Sequence, residues 1–469
     1  MVEATGLAAR DVDQLRRSCA DVIGPGDAGY DDARRLWNAL HDRRPSVIVR
    51  PTTADEVATA IRFARDRDLE ITVKSGGHSA AALTGAEGCL LVDLSSMRGV
   101  AVDAAARTAR VNGGALLGEL DVAAQEHGLV CPVGVVGHTG VAGLTLGGGV
   151  GRLQRNFGLT IDSLTAVELV TADGRRVRAA ETDEPELFWG LRGAGWNFGI
   201  ATAFEFRLRP FGPDLHRGVL TYPATAVHDV WQMFEDYARN APDAVAVIFG
   251  LGRAGADEGY PDDVVGRPIV FIGYNHSGAA ENVERDTAGL HVGPKPLTSM
   301  IGSQPYLDVQ TAHDLVFAWG TRSLIKSQNV HAVPARALDA ALALLEGVPG
   351  DPSVSVTALG GAIARVPDDT TAFPGRTATF DVSADTSWTD AADDEASWAW
   401  IRRTMALFDG DPALGGYPNG NSESGPDAVR RIYGDAKMTR LAALKRTWDP
   451  DNVFRVNQNI PPGWDSPGT

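Results

Sequence analysis

Two glycine-rich segments contain the groups with the clearest potential for chemistry in this sequence. Residues 74–79 read Lys-Ser-Gly-Gly-His-Ser and follow a short β-type run, and residues 139–151 are dense in glycine. Glycine lets backbone N–H groups approach a phosphate because no Cβ stands in the way. His78 follows the first glycine turn directly, and imidazole can attack an electrophilic ring methyl group. The alternative interpretation is a pair of structural turns and a hydrogen-bonding histidine.

The common nucleotide-binding motifs do not account for these glycines. The sequence contains no G-x-x-x-x-G-K-[ST], which excludes a P-loop ATPase or GTPase. Residues 147–151 do not complete G-x-G-x-x-G, because the sixth position is Arg152 or Gln154. Residues 193–199 have a loose dinucleotide spacing but precede a strand candidate, whereas a Rossmann motif follows one.

Alternating strands and helices over residues 43–213 are predicted to position the two segments. Residues 71–74 (Ile-Thr-Val-Lys) form a strand candidate that leads straight into the first one. Thr53 and Glu56 form a capping-box pattern ahead of a predicted helix. Asp173-Gly174 is typical of a hairpin turn between two strands.

The middle of the chain, residues 214–415, has a different pattern of strand and helix candidates. Strand candidates such as 244–249 and 267–274 alternate with amphipathic helices at 227–238 and 335–346. This pattern predicts a second α/β unit on a largely antiparallel sheet. The C-terminal segment, 416–469, is predicted to hold a helix around 439–446 and a short extended run.

Composition excludes several classes of function. The formal net charge of −17 argues against a nucleic-acid or anionic-membrane partner. Three scattered cysteines suit neither a disulfide framework nor a zinc site, and we expect no metal. The N-terminus has no apolar leader-like stretch, and no run is long enough to span a membrane, so we expect a cytoplasmic protein.

Taken together, the segments resemble the berberine-bridge-enzyme family of the vanillyl-alcohol-oxidase superfamily, in a bacterial form. The matching elements cover nearly the full length, with the middle third matching weakly. In chain order they are Pro25-Gly-Asp27, Tyr30-Asp31, Trp37-Asn38, Arg44-Pro45, Ser75-Gly-Gly-His78-Ser79, the 139–151 loop, Gly158-Leu159 with Asp162, Glu186-Leu-Phe-Trp189, Leu191-Arg-Gly193, Asn197-Phe-Gly-Ile200, Tyr417-Pro-Asn419, Tyr433-Gly434, Arg440-Leu441, Lys445, Asp449-Pro450, Phe454 and Asn457-Gln458.

The resemblance implies an α+β fold with a two-part FAD-binding domain of the PCMH type, at 1–213 and 416–469. A second α/β substrate domain at 214–415, on a largely antiparallel sheet, would cover the flavin. FAD would be bonded covalently to His78 through the flavin 8α-methyl group. The cofactor residues that it implies are Lys74, Ser75, Gly76, Gly77, His78, Ser79, Gly137, Thr139, Gly140, Gly143, Leu144, Gly148, Gly149, Gly151, Asp162, Gly199, Ile200, Tyr417 and Asn457.

Departures from the family pattern qualify the site. Members with two covalent links carry a cysteine where this chain has Val136, and Cys131 lies five residues earlier, so we expect no second link. The family pattern Tyr-x-Asn-Tyr/Phe reads Tyr417-Pro-Asn419-Gly420 here, which loses the second aromatic residue.

The implied activity is oxidation of an alcohol, hemiacetal or amine carbon in a small molecule, such as a sugar or natural-product intermediate. Hydride would pass to flavin N5, and O2 would regenerate the flavin and yield H2O2. Tyr417 and Asn419 are the predicted catalytic residues, with Tyr417 as a base whose pKa neighbours would have to lower. Lys445 is a possible helper, and His138 is a weaker candidate base.

Three alternatives stay open at this point. They are a flavin-dependent monooxygenase or oxidative cyclase in natural-product tailoring, a dehydrogenase with an acceptor other than O2, and a flavin-binding protein without turnover. The substrate itself is not named by the sequence. Aromatic residues of the middle domain that could line its site, or simply form core, are Trp231, Phe249, Tyr274, Trp319 and Phe380.

Overall fold

The first half of the chain folds into two small sheets with helices packed against them. The strands come from short apolar runs, and the helices follow the helix signals of the sequence. The computed structural model describes residues 7–256, 260–408 and 414–464. Residues 1–6, on which part of the leader prediction rests, lie outside the described residues. In chain order the elements are α1 (Ala9–Arg16), β1 (Val22–Ile23), α2 (Tyr30–Arg34), β2 (Val47–Val49), α3 (Ala54–Arg65), β3 (Ile71–Lys74), β4 (Leu90–Asp93), β5 (Val100–Asp103), β6 (Thr108–Asn112), α4 (Leu117–Gln125), β7 (Leu129–Val130), α5 (Val141–Leu146), α6 (Gln154–Phe157), α7 (Thr160–Ser163), β8 (Leu164–Val170), β9 (Arg176–Ala180), α8 (Pro185–Ala194), β10 (Ile200–Arg207) and β11 (Arg209–Pro210).

The helix cap and the hairpin that were predicted in this half are present. A four-stranded sheet has the order β1-β2-β4-β3, and a five-stranded antiparallel sheet has the order β5-β6-β10-β8-β9. Thr53 caps α3 by accepting a hydrogen bond from the Glu56 N–H. The Glu56 carboxylate accepts from the Thr52 N–H, one residue further upstream than a capping box requires. Strands β8 and β9 form the predicted hairpin around Asp173-Gly174.

The second half is built on one antiparallel seven-stranded sheet, with the order β15-β12-β14-β13-β17-β18-β16. Its elements are β12 (Asp214–Pro223), α9 (Val227–Asn240), β13 (Val245–Arg253), β14 (Pro268–His276), α10 (Val283–Thr287), β15 (Thr298–Pro305), α11 (Tyr306–Thr311), β16 (Arg322–Val330), α12 (Ala335–Leu345), β17 (Asp351–Ala358), α13 (Ala362–Arg365), β18 (Phe380–Trp388) and α14 (Asp394–Met405). Single-turn 3-10 helices lie at Leu94–Ser96, Gly195–Asn197, Ala224–Ala226, Ala280–Asn282, Ala288–Leu290, Asp368–Thr370, Ala391–Asp393 and Ala406–Phe408.

The sheet has one apolar and one polar face, because side chains alternate along a strand. On β18, for example, Val382 and Ala384 are buried in a core with the helices α9, α12 and α14, whereas Asp381, Ser383 and Asp385 lie on the opposite face. That opposite face is turned toward the first half of the chain, where α6 contacts β13.

The C-terminal helix α15 (Pro426–Trp448) is longer than predicted and is kinked at Gly434, where φ is 67°. It packs in the same core cluster as the five-stranded sheet. In the last turn of α15, the buried Lys445 Nζ lies 2.7 Å from the Asp449 carboxylate and donates to the carbonyls of Asn197 and Phe454. These contacts fix the tail to the first half of the chain, while the exact domain boundaries stay a prediction. In the described parts of the chain, no helix combines the length and the apolar character needed to cross a bilayer.

Candidate active site

A cavity of about 1160 Å³ lies between the two glycine segments and the C-terminal tail. The predicted cofactor and catalytic residues that line it are Ser75, Gly76, Gly77, His78, Ser79, Thr139, Gly140, Gly143, Leu144, Gly199, Ile200, Asn419 and Asn457. Residues from positions as distant as 75 and 457 thus form one wall.

The two glycine segments touch through their backbones. A Cβ placed on Gly76 would lie 2.2 Å from the Gly140 nitrogen, and one on Gly140 would lie 2.2 Å from the Gly76 nitrogen. Real Cβ atoms do not approach backbone so closely, so neither position admits a side chain. Ser75 Oγ donates to the Gly113 carbonyl at 2.7 Å and holds the first segment in place.

Polar atoms without partners show what the cavity is suited to hold. Asn457 Oδ1, Gln458 Oε1 and Thr84 Oγ1 are buried, have no hydrogen-bond partner among the described residues, and belong to residues that line the cavity. A Cβ on Gly143 would meet nothing within 4 Å and would project into free space. A long cavity with bare backbone and unpaired polar atoms fits the ring, ribityl and phosphate parts of FAD.

His78 is held in one orientation by a chain of rings. Trp37 stacks on it with 4.9 Å between ring centroids, and Trp319 meets it edge-on at 6.1 Å. His78 Nε2 lies 2.5 Å from His138 Nδ1, and His138 Nε2 lies 3.3 Å from the Asp314 carbonyl oxygen. Burial, with the neighbouring His138, lowers the pKa of His78 to about 3, so this ring is neutral near pH 7.

These contacts define the tautomer of His78. A carbonyl only accepts, so the Nε2 of a neutral His138 carries the proton and its Nδ1 is an acceptor. His78 Nε2–H must then donate to His138, which leaves the lone pair on His78 Nδ1. Gly137 N–H, beside His138, donates to the Asp314 carboxylate at 2.6 Å. Asp314 therefore fixes this loop through both its backbone and its side chain.

Tyr417 and Asn419 lie together at one end of the cavity. Asn419 Nδ2 donates to the Tyr417 hydroxyl oxygen at 3.0 Å, and the Val150 N–H reaches the same oxygen at 3.3 Å. Asn419 Nδ2 also donates to the Leu144 carbonyl at 3.0 Å. Burial raises the pKa of Tyr417 above its usual value despite these donors, so its proton stays in place near pH 7.

The polar face of the seven-stranded sheet supplies two carboxyl groups that the sequence analysis did not select. Asp381 lies near Ser327, and its buried Oδ2 has no hydrogen-bond partner among the described residues. It also lies close enough to Tyr417 to raise the pKa of that residue. Burial raises the pKa of Asp381 to about 7. Asp385, four residues further along β18, accepts a hydrogen bond from Ser353 Oγ at 2.9 Å, and burial raises the pKa of Asp385 to about 6.

Comparison with known proteins identifies the family. Residues 45–180 match the family described as FAD binding domain, and residues 411–461 match the family described as berberine and berberine like. The chain is 32% identical over 455 residues to (R)-6-hydroxynicotine oxidase of Paenarthrobacter nicotinovorans, covering 94% of this chain and 96% of that enzyme. This chain belongs to the berberine-bridge-enzyme-like family of FAD-linked oxidoreductases.

Solved structures agree with this membership. The structure of 6-hydroxy-D-nicotine oxidase from Arthrobacter nicotinovorans superposes with a TM-score of 0.84 at 29% identity, covering 94% of this chain and 98% of that one. A berberine-like protein of Physcomitrella patens superposes at 0.86 over 97% of this chain, and at 24% identity it supports the fold alone. The protein is accordingly an FAD-dependent oxidase of a small molecule, with the α+β architecture of PCMH-type flavoenzymes.

Several residues that the family resemblance assigned to FAD lie outside the cavity wall. Gly148, Gly149 and Gly151 are glycines for packing reasons, since a Cβ would strike Phe373, Thr160 and the Val133 carbonyl respectively. Of the same loop, Thr139, Gly140, Gly143 and Leu144 line the cavity, and the assignment of the loop to FAD stays a prediction.

The remaining assignments outside the wall are explained by ion pairs and hydrogen bonds. Lys74 is buried against Asp93 at 3.1 Å, and Asp162 pairs with the fully buried Arg376 at 2.7 Å. Gly137 and Tyr417 act beside the cavity through the contacts described above. The helper expected in Lys445 is likewise committed to the tail, because its bonds go to Asp449 and to two carbonyls.

The structure also places Cys131 and the five aromatic residues that the sequence analysis named for the middle domain. Cys131 is fully buried, burial raises the pKa of its thiol, and it does not line the cavity. Four of the five aromatic residues belong to the apolar core under the sheet, and of the five only Trp319 approaches His78. The four core residues are Trp231, Phe249, Tyr274 and Phe380.

Proposed function

We propose that this protein holds FAD through a covalent bond to His78 Nδ1 and oxidises an amine, alcohol or hemiacetal carbon, with O2 as the electron acceptor. The observation that carries the proposal is the unprotonated Nδ1 that the His138 contact leaves on His78. FAD, when bound, accepts a hydride from the substrate carbon and passes the electrons to O2 to give H2O2.

The surroundings of His78 support its role as the attachment residue. A neutral imidazole is the nucleophilic form, and the low pKa of His78 keeps it in that form. His138 Nδ1 faces the Nε2 proton of His78 and can accept it as the His78 ring becomes positive. The Asp314 carbonyl in turn holds His138 in the tautomer that this transfer needs.

Oxidation also requires a group that takes the substrate O–H or N–H proton. We assign this role to Asp381. A carboxyl group with a pKa of about 7 is half ionised near pH 7 and can accept a proton there. In addition, its Oδ2 has no hydrogen-bond partner among the described residues. Tyr417 keeps its own proton and accepts from Asn419 and Val150, so its O–H is free to donate toward the site. Tyr417 and Asn419 thus serve orientation in this proposal.

The name of the most similar curated relative reported above favours an amine as the substrate. That relative, 32% identical over almost its whole length, is named for 6-hydroxynicotine, which is a cyclic amine. A first panel for this chain is therefore (R)-6-hydroxynicotine and simple cyclic amines, with primary alcohols and xylobiose as the oxygen-bearing comparison. The panel tests the substrate class separately from the flavin link.

The attachment test is acid precipitation of the purified protein, followed by mass analysis of the peptide that contains His78. Flavin on that peptide is the expected result, and flavin released into the supernatant would refute the covalent link. Turnover with stoichiometric H2O2 is expected of an oxidase. Oxygen incorporated into the product, with less H2O2, would instead indicate the monooxygenase alternative.

A further inference from the structure

Three basic residues meet at the interface of the two halves, outside the cavity and outside the proposed reaction. Leu153, Leu215, Tyr306 and Val309 form one small apolar cluster at this interface. Arg152 is the direct neighbour of Leu153. Arg217 lies two residues after Leu215 on β12 and therefore projects to the same side of the strand. His313 lies four residues after Val309, just beyond α11.

The polar atoms of this cluster lack partners. Arg152 Nε and Nη2 and His313 Nδ1 are buried and have no hydrogen-bond partner among the residues that the structure describes. Buried N–H groups are almost always paired in folded proteins, since an unpaired one loses its hydrogen bond to water. Three unpaired nitrogen atoms in one small region therefore indicate a ligand.

The charges of the cluster specify the sign of that ligand. Burial and the Arg217 charge lower the pKa of Arg152 to about 10, while Tyr306 acts in the opposite direction. Burial, with Arg152 and Arg217, lowers the pKa of His313 to about 4. Among the described residues, no carboxylate contributes to either shift. Two guanidinium groups that repel each other while partly removed from water are stabilised by an anion. The surplus of positive charge stands out in a chain whose formal net charge is −17.

Two other buried arginines of this protein have hydrogen-bond partners for their guanidinium groups. Arg376 is fully buried and makes two hydrogen bonds to the Asp162 carboxylate, at 2.7 and 3.1 Å. Arg155, three residues after Arg152, donates to the carbonyls of Leu359 and Ala241. Arg152 has neither kind of partner, so the protein leaves its guanidinium group available.

FAD itself does not fill this place, because the wall of the large cavity includes none of the three residues. Arg217 and Asp381 share the polar face of the sheet, as the paired residues across its strands show. Four strand spacings of about 4.8 Å separate β12 from β18, so the two lie roughly 19 Å apart. The cluster therefore marks the far end of the face that bears the proposed base.

We propose that Arg152, Arg217 and His313 bind a carboxylate or phosphate group at the interface of the two halves. Arginine forks match both groups through paired hydrogen bonds, and a neutral histidine N–H adds a further donor. The group is either the far end of an anionic substrate or a free small anion. Its assignment to the substrate rests on the proposed oxidase function, whereas anion binding itself does not.

The test measures anion binding to the flavin-loaded enzyme by its thermal unfolding midpoint. Sodium benzoate and sodium phosphate are titrated at constant ionic strength against sodium chloride. We expect a saturable rise in Tm with at least one of the two anions for the wild type. Arg152→Met and Arg217→Met should each weaken the apparent Kd at least tenfold. Arg207→Met, at an exposed arginine on β10, should leave it unchanged.

The two variants come from different halves of the chain, so if one fails to retain flavin the other still decides. Absence of a saturable rise with both anions would overturn the proposal, as would equal Kd values in all three variants. Competition of the bound anion with substrate in steady-state turnover would assign the site to the substrate, and non-competitive behaviour would assign it to a free anion. Acid-stable flavin in the same samples reports on the proposed function separately.

Discussion

The two surfaces on which the proposed function rests, the FAD wall around Gly76 and Gly140 and the proposed substrate wall on the seven-stranded sheet, differ in how they use their residues. In the FAD wall, the two glycine segments make contact through backbone atoms, and side chains are excluded by distance. In the proposed substrate wall, the sheet offers alternate side chains from regular strands, such as Asp381 and Ser383. The first wall tolerates no Cβ at its contact, whereas the second changes its chemistry with each substitution. A cofactor shared by a family fits the first kind of wall, and a variable substrate fits the second.

The largest effect is expected where backbone meets backbone. Gly76→Ala forces a Cβ to 2.2 Å from the Gly140 nitrogen, which must push the two segments apart and open the FAD cavity. We expect the purified protein to contain no bound flavin. The ratio of the absorbance at about 450 nm, from flavin, to that at about 280 nm, from protein, measures the flavin content. Gly302→Ala on β15 is the matched control, since its Cβ meets nothing within 4 Å. Full flavin content in Gly76→Ala would remove the distinction between the walls.

A substitution in the proposed substrate wall should change the rate of turnover instead of the flavin content. Asp381→Asn removes the proposed base, and we expect kcat to fall by about 10²–10⁴-fold with flavin content unchanged. In the wild type, the base acts when ionised, so activity should rise with pH through about 7. This limb of the pH profile should be absent from the residual activity of the variant. A pH profile that is unchanged in Asp381→Asn would assign the proton to another group.

A third prediction concerns the attachment of the cofactor. His138→Ala removes the acceptor for the His78 Nε2 proton, and we expect covalent incorporation of added FAD to slow about 100-fold. His78→Ala should bind FAD without any acid-stable fraction. His228→Ala, at an exposed histidine paired with Asp339, controls for loss of an imidazole. Unchanged incorporation kinetics in His138→Ala would limit His138 to packing.

The smallest effect separates the two faces of a single strand. Val382→Ala deletes buried methyl groups from the helix-covered face and should lower the free energy of unfolding by about 2 kcal/mol. Its neighbour Ser383 lies on the polar face, so Ser383→Ala should leave that free energy nearly unchanged while altering KM. Urea unfolding and steady-state kinetics measure the two quantities. Equal losses of stability in both variants would contradict the assignment of the faces.

The FAD wall could be predicted from sequence because its signals are local. The strand Ile71–Lys74 leads directly into His78, and Thr53 caps its helix as the pattern indicated. At Gly148 and Gly149 the structure shows a packing constraint, because a Cβ would meet Phe373 and Thr160 respectively. A glycine required by packing and one required by a ligand look alike in a sequence.

The substrate wall could not be predicted in the same way. The stretch that contains Asp381 reads as a strand, but the neighbouring Ser327 belongs to β16, which the sequence analysis did not predict. Strands β15 and β16 carry Ser, Gln, Lys and Gly between their apolar residues, so their alternation is weak. Which carboxyl is desolvated depends on pairings between distant strands, and one sequence does not contain that information.

The buried Lys445–Asp449 pair has a consequence for the order of events during biosynthesis. It fastens the last part of the chain to carbonyls at Asn197 and Phe454, and the stretch just beyond it places Asn457 in the cavity wall. The cofactor pocket therefore lacks part of its wall until the segment that contains Asn457 has been synthesised and has left the ribosome. Flavin acquisition is accordingly a step that follows synthesis of this segment, when the glycine loops, which are made earlier, meet it.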